Sequence, residues 1–173
     1  MYRRNSGFTV IELMFTVGIL AILASLAVPN LSYFLLKQRV SSKASELQNS
    51  LAFARAEATK RNVNIVVIPA SNSTDGWATG WCVGTDDIAN CNAANVLKRY
   101  QASQGDILLN SNYLQSTNRL TFRRDGTLLA GLNDDTFKIS SSRLENTDNS
   151  ARCVSLNPLG KASLKKVNRD DDC

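Results

Sequence analysis

The sequence predicts an α+β fold in which one long N-terminal helix packs, through its second half, on an antiparallel β-sheet head. Three observations predict it. Residues 8–28 are an apolar run, and Glu12 is its only charge. A one-sided apolar stripe at helical spacing then continues to about Arg61. Short β-branched and aromatic segments separated by Asn, Ser and Gly make up the rest. The 173 residues suit a single domain.

The apolar run has the length of a membrane anchor. Its 21 residues span roughly 30 Å as a helix, the thickness of a bilayer's hydrocarbon core. The preceding Arg3 and Arg4 should stay on the cytoplasmic side. A secretory signal peptide is the alternative, but the run is too long, contains Glu12 and has no small-x-small cleavage site before Pro29. The run is therefore interpreted as an anchor that the protein keeps.

The second half of the helix is amphipathic. Pro29 lies at the end of the apolar run and should kink the helix there. Beyond it, apolar residues recur three or four positions apart, which places them on one helical face. They are Leu36, Val40, Ala44, Leu47, Leu51, Ala54 and Ala58. One helix from about Phe8 to about Arg61 would be roughly 80 Å long, with this stripe against the head and its charged faces in solvent.

The head is predicted to be a set of short strands. The expected strands are residues 64–69, 77–83, 96–101, 119–123, 136–140, 152–156 and 162–167. Asp125-Gly126 is a hairpin turn signal, and Asn157–Gly160 is a second turn. The sequence predicts one antiparallel sheet on the carboxyl half of the helix.

The four cysteines favour disulfides. They allow three pairings, and we expect Cys82–Cys91 and Cys153–Cys173 because partners that are close along the chain close most easily. The head would then lie in an oxidising space such as the periplasm. A zinc site is the alternative, but the chain has no CxxC spacing and no His. We expect no metal.

Composition excludes several kinds of catalysis. Without His there is no His-based triad or His general base. The sequence contains no nucleophile-elbow, phosphate-loop or paired-carboxylate motif, and the acidic run Asp170–Asp172 is typical of a solvated terminus. Composition leaves a catalytic Ser–Lys pair open, because both residue types are common in the chain. We expect no enzymatic activity, no catalytic residue and no cofactor.

The N-terminal segment resembles a known processing motif. Residues 6–13 read SGFTVIEL, which is similar to the motif of type IV pilins and type II secretion pseudopilins. The resemblance implies that a prepilin peptidase cuts after Gly7 and that Phe8 is then N-methylated. It also implies that Glu12 neutralises the new amine of Phe8 in a neighbouring subunit. A pair between Glu12 and Phe8 of the same chain is equally compatible with the spacing.

The rest of the chain resembles the minor pilin and pseudopilin family that includes FimU, FimT and GspH, most closely the FimU type. The similar segments are residues 47–62, Gly80–Cys82, Phe122–Thr127 and 152–164. The resemblance implies a type IV pilin fold with four regions. These are a leader at residues 1–7, a transmembrane and filament-core helix at 8–28, an amphipathic helix at 29–62 and a periplasmic head at 63–173.

The same resemblance implies a role and partners. The chain would be a minor pilin that helps to initiate assembly of a type IV pilus and links tip subunits to the fibre, supporting twitching motility. Its partners would be other minor pilins, the major pilin, the prepilin peptidase, the assembly platform of the inner membrane and, before assembly, membrane lipid. It would be a single-pass inner-membrane protein before it enters the fibre at the cell surface.

Two alternatives remain. One is a GspH-like minor pseudopilin of a type II secretion system. The other is a FimT-like pilin that binds DNA in natural transformation through a C-terminal Gly-Arg-x-Arg pattern. Here that pattern reads Gly160-Lys161-Ala162-Ser163, so the second cation is lost. The candidate DNA-binding residues are Lys161, Lys165, Lys166 and Arg169. From Lys37 onward the chain holds 18 basic and 14 acidic residues, a mild excess that suits weak phosphate binding.

Overall fold

The computed structural model describes residues 7–71, 76–103, 105–111, 119–129 and 135–173, with the side chains of 27–30 and 135 excepted. Residues 1–6 of the expected leader therefore lie outside the described residues. The chain divides into two compact units, Met1–Leu36 and Lys37–Cys173. The α+β fold and the long N-terminal helix are confirmed.

Helix α1 spans Val10–Arg61. It begins two residues after the expected Phe8, because Thr9 occupies the position that caps the helix. Large apolar side chains between Val10 and Leu26 are exposed, among them Ile11, Phe15 and Leu20. By length and composition, no single helix in the described part of the chain could cross a membrane, but Val10–Leu26 and Leu31–Arg61 pass that test together as a bent pair. Pro29 falls in the break between them.

Within the second unit, α1 buries the stripe that its spacing indicates. Val40, Ala44, Leu47, Leu51 and Ala54 have no exposed surface. Two of these five side chains are alanines, whose small size lets a helix approach a neighbouring layer closely.

Two antiparallel sheets form the head. In the first, four strands lie in the order β3-β2-β1-β5. They are β1 (Ile65–Pro69), β2 (Trp81–Thr85), β3 (Val96–Tyr100) and β5 (Leu120–Phe122). In the second, the order is β4-β6-β7-β8. Its strands are β4 (Ile107–Ser111), β6 (Asp135–Ser141), β7 (Ala151–Leu156) and β8 (Ala162–Val167).

The head departs from the sequence prediction in three ways. It has two sheets where one was expected, because strand order depends on pairings between segments that are distant in sequence. Strand β4 was missed. The strand expected from Trp77 begins only at Trp81, because Gly80 has a φ of 109° and closes a turn by donating its N–H to the carbonyl of Trp77. A side chain at Gly80 would meet the Tyr100 carbonyl oxygen at 2.4 Å, so only glycine fits.

Aromatic side chains join α1 to the head. Trp77, Trp81 and Phe137 are fully buried, and the ring centroids of Trp77 and Phe137 are 5.4 Å apart in an edge-on arrangement. The indole N–H of Trp81 donates to the Ser50 hydroxyl of α1 at 2.8 Å. That bond gives the buried indole N–H a partner. Leaving this N–H unpaired in the interior would cost about 1–3 kcal/mol.

Candidate functional site

The start of α1 is a capping box. The Thr9 N–H and hydroxyl donate to Oε2 of Glu12 at 3.2 and 3.3 Å, and the Glu12 N–H donates to the Thr9 hydroxyl at 3.3 Å. Thr9 is thus the N-cap and Glu12 the third residue of the helix, so each satisfies a backbone donor that the helix leaves unpaired. A carboxylate in the first turn also faces the positive end of the helix dipole.

Sequence reasoning missed the role of Thr9. The signal was present, because Thr-x-x-Glu ahead of an apolar run is the pattern of a capping box. From the sequence, Glu12 is a partner for the amine of Phe8 or a carboxylate that reaches headgroup water near the cytoplasmic end of the anchor. The structure places its carboxylate on Thr9, the residue next to Phe8. The charge pair with Phe8 stays a prediction, since that amine forms only on cleavage.

The expected cleavage site lies just outside the helix. Gly7 and Phe8 are exposed and precede the first helical residue. A β-carbon added at Gly7 would have no neighbour within 4 Å. The Gly7–Phe8 bond is therefore accessible to an enzyme without unwinding α1.

Two disulfides brace the head. Cys82 is bonded to Cys91, and Cys153 to Cys173, the pairs expected from the sequence. The first ties the β2–β3 connection to β2. The second ties the C-terminus to β7, and the Lys138 ammonium also holds this tail by donating to the Asp171 carbonyl at 2.5 Å. The tail is thus fixed to the second sheet by a covalent and a polar contact.

The candidate DNA-binding lysines lie on and beside β8. This strand is at one end of the second sheet and pairs with β7. Lys161 precedes it in the turn, while Lys165 and Lys166 lie within it, and all three are exposed. Because side chains alternate along a strand, Lys165 and Lys166 point to opposite faces. The structure therefore does not place Lys165 and Lys166 on one face of the sheet.

Arg169 has a different environment from the three lysines. Its guanidinium donates to the carbonyls of Ser142 and Leu144 at 3.1 and 2.9 Å and to Asp170 at 3.0 Å. These contacts pin the tail to the β6–β7 connection. The other arginine of this region, Arg152, is buried, and burial lowers its pKa, while its guanidinium donates to two backbone carbonyls. Both arginines thus hold the fold together.

The part of the chain that the structure describes contains no group of three or more His, Cys, Asp or Glu side chains placed to hold a metal ion.

Two exposed carboxylates accept hydrogen bonds from neighbouring residues. Hydrogen bonds from Thr127 hold the pKa of the Asp125 carboxylate below its ordinary value and close the β-turn before Leu128. The carboxylate of Asp87 is held in the same way by Thr85 and Asn95, which lower its pKa.

The long helix, the two antiparallel sheets and the exposed apolar N-terminal segment define the type IV pilin fold. The N-terminus matches the model of the prokaryotic N-terminal methylation motif over residues 2–28. Residues 43–160 match the model of the type II transport protein GspH. The chain belongs to this GspH family of minor pilins and pseudopilins.

Crystal structures of a minor pilin have the same fold. The type IV minor pilin FimU of Pseudomonas aeruginosa is 24% identical, with a TM-score of 0.61 over 76% of this chain and 92% of FimU. A second crystal form of FimU gives 23% identity and a TM-score of 0.58, over 72% and 91% of the two chains. The minor pseudopilin EpsH of the Vibrio cholerae type 2 secretion system is 11% identical, with a TM-score of 0.49 over 77% and 99%. No curated protein matches the sequence.

Proposed function

We propose that the chain is a non-catalytic minor subunit of a type IV pilus that helps to initiate assembly and links tip subunits to the fibre. The observation that carries this proposal is the start of α1, where exposed apolar side chains follow a single capped carboxylate. Such a surface needs lipid before assembly and the helices of neighbouring subunits afterwards. The partners would be other minor pilins and the major pilin.

The two disulfides support a periplasmic head, because such bonds persist in oxidising compartments. The chain would insert in the inner membrane with Arg3 and Arg4 in the cytoplasm and would be cut after Gly7 by a prepilin peptidase. The shared fold with FimU, described as a type IV minor pilin, supports the pilus. The GspH family model is equally compatible with a pseudopilus.

Deletion of the gene in its host tests the proposal. We expect loss of twitching and of surface pili, both restored by the wild-type gene, and we expect the processed chain in sheared fibres. Normal twitching together with a defect in protein secretion would instead identify a pseudopilin of a type II secretion system.

DNA binding is the second candidate, and the exposure of Lys161, Lys165 and Lys166 is the observation that favours it. Two observations count against DNA binding. Arg169 is bonded to backbone carbonyls, and Lys165 and Lys166 point in opposite directions. A duplex-DNA titration, described in the Discussion, separates the two candidates.

A further inference from the structure

A groove runs between α1 and the outer edge of the first sheet. One wall is a stripe of uncharged polar side chains on α1, formed by Gln38, Ser41, Ser45 and Asn49. The other wall is β3, with Lys98 and Tyr100. Among the described strands, only β2 pairs with β3, so the far edge of β3 presents main-chain N–H and C=O groups to the groove side.

Cations and aromatic rings hold the two walls together. The buried ammonium of Lys43 donates to the Gln101 carbonyl at 2.6 Å and lies 4.4 Å from the ring centroid of Trp81. Trp81 stacks on Tyr100 with centroids 5.3 Å apart. In the middle of β3, the Lys98 ammonium lies 5.6 Å from the Phe53 centroid of α1. Because the two walls are tied at both places, the groove is formed in advance of any binding.

The groove has an unbalanced positive charge. Lys98 is exposed along β3. Its neighbour Arg99 is also exposed, but its guanidinium donates to the Cys91 carbonyl at 2.6 Å, so Lys98 is the cation that the groove offers. The carboxylate on the opposite wall, Glu46, is bound to Lys43 at 2.8 Å and so is already neutralised. The Lys98 ammonium rests on the faces of Tyr100 and Phe53, which fixes its place. A carboxylate entering the groove would find this cation in position.

We propose that this groove binds an extended, carboxylate-bearing segment of a neighbouring subunit, which adds as a strand to the free edge of β3. The inference rests on the proposed function, since it names a surface through which the subunit joins others. An extended peptide matches the spacing of the strand's N–H and C=O groups, and Ser and Asn side chains suit its other main-chain groups. A phosphate backbone offers acceptors only, so a peptide fits this edge better than DNA.

Photocrosslinking in the native host tests the groove. A photoreactive amino acid replaces Ser45 in the full chain, and in a matched control it replaces Ser163, which is exposed on the end strand β8 of the other sheet. Each form is combined with Lys98→Glu, with the charge-conserving Lys98→Arg, and with Lys165→Glu as a control on β8. Crosslinked peptides are mapped by mass spectrometry in membranes and in sheared fibres.

We expect the Ser45 form, and not the Ser163 form, to crosslink to another pilin subunit within two residues of an Asp or Glu. Lys98→Glu should reduce this crosslink about tenfold, as for a close charge pair across an interface. Lys98→Arg and Lys165→Glu should leave it intact. A segment without carboxylates, a crosslink to nucleic acid, or an unaffected Lys98→Glu chain would overturn the proposal.

The design separates this inference from the proposed function. If the wild-type chain is in sheared fibres but the Ser45 form captures no subunit, the groove proposal fails and the pilus role stands. If the chain is absent from fibres but the Ser45 form captures a pilin in the membrane, the pilus role fails and the groove stands. If Lys98→Glu causes only self-association of the purified chain, Lys98 protects a free edge and the groove proposal is wrong.

Discussion

At the residue scale, the carboxylate of Glu12 has two roles. It caps α1 through Thr9, and by the proposed function it also neutralises the amine of Phe8 during assembly. Glu12→Ala should leave processing largely intact but lower incorporation into fibres about tenfold or more, because an uncompensated buried charge costs about 3–5 kcal/mol. Immunoblots of membranes and sheared fibres measure both steps.

Glu12→Gln separates the two tasks, since an amide can still accept the capping bonds from Thr9 but carries no charge. Fibre levels as low as in Glu12→Ala would assign the effect to charge, whereas wild-type levels would assign it to the cap. Normal assembly of the Glu12→Ala chain would show that assembly needs neither the charge nor the cap.

Gly7 offers a clean test of processing. Gly7→Val should block cleavage and leave a chain of 173 residues in the membrane, in place of 166, because the family's peptidase cuts after this glycine. The added side chain meets no atom within 4 Å of its β-carbon, so the fold should not change. Intact-mass spectrometry measures the leader. Gly18→Ala, which also adds a β-carbon in open space, should be processed normally, and cleavage of the Gly7→Val chain would contradict the assignment.

Glu57 near the end of α1 gives a pH prediction. The Arg61 guanidinium donates a hydrogen bond to its carboxylate and, with the charge of Lys60, lowers its pKa from the ordinary 4.5. A lowered folded-state pKa stabilises the fold above the unfolded-state pKa, and this contribution is lost as the pH falls through the folded-state value.

Glu57→Gln should therefore reduce the free energy of unfolding at pH 7 and make no difference once the pH is below the folded-state pKa. Urea unfolding of the full chain in detergent at pH 7 and pH 3 measures it. The matched control Asp172→Asn removes an exposed acid of the tail and should change neither value. An equal loss at both pH values would mean that Glu57 acts by packing.

At the scale of the elements, the sequence predicted the helix better than it predicted the sheets. The stripe at three- and four-residue spacing predicted the buried face of α1, because a helix has one geometry whatever surrounds it. Strand β4 was missed because Ile107, Leu108 and Leu109 form an unbroken apolar run, although Leu108 points outward in the structure. The separation into two sheets depends on partners such as β4 and β6, which no local pattern records.

The candidate site residues also divide into those that the sequence predicts and those that it does not. The processing motif and the cysteine pairs are local in sequence and could be predicted from it. Arg169 could not be assigned, because its carbonyl partners Ser142 and Leu144 lie more than twenty positions away. The groove along β3 was also beyond the sequence, since it joins Ser45 of α1 to Lys98 of a strand that follows it by fifty-three positions.

The C-terminal tail is an element held by one covalent bond. Replacing both Cys153 and Cys173 by Ala opens a loop of 20 residues, which should lower the free energy of unfolding by about 3 kcal/mol. Amide hydrogen exchange of residues 168–173 should also accelerate, because the remaining contacts are polar and exposed.

Replacing Cys82 and Cys91 by Ala is the matched control. It opens a loop of 9 residues, for which the same relation gives a loss of about 2.5 kcal/mol, and the tail should stay protected. Urea unfolding and exchange of the full chain in detergent measure both variants. Unchanged exchange of the tail in the first variant would mean that Lys138 and Arg169 hold it without the disulfide.

At the scale of the whole molecule, the average composition combines an exposed apolar N-terminal segment with a charged head. Processing after Gly7 would remove Arg3 and Arg4 and lower the side-chain charge from +5 to +3. The remaining positive charge is spread over separate places, including the groove along β3, the turn at Arg123 and Arg124, and β8. A mild excess that is spread in this way does not form the continuous cationic surface that DNA binding uses.

This distribution leads to a prediction about DNA. The full chain in detergent, titrated against a labelled 20-base-pair duplex at physiological salt, should show no binding tighter than about 10 µM, within the range of non-specific contacts. Lys165 and Lys166 face opposite ways, Arg169 is bound to carbonyls, and Asp170–Asp172 repel phosphate nearby. The triple variant Lys161→Ala, Lys165→Ala, Lys166→Ala should therefore behave as the wild type does. Micromolar binding that this variant loses, with a salt dependence shallower by up to about three counterions, would instead identify a DNA-binding pilin and make β8 its contact surface.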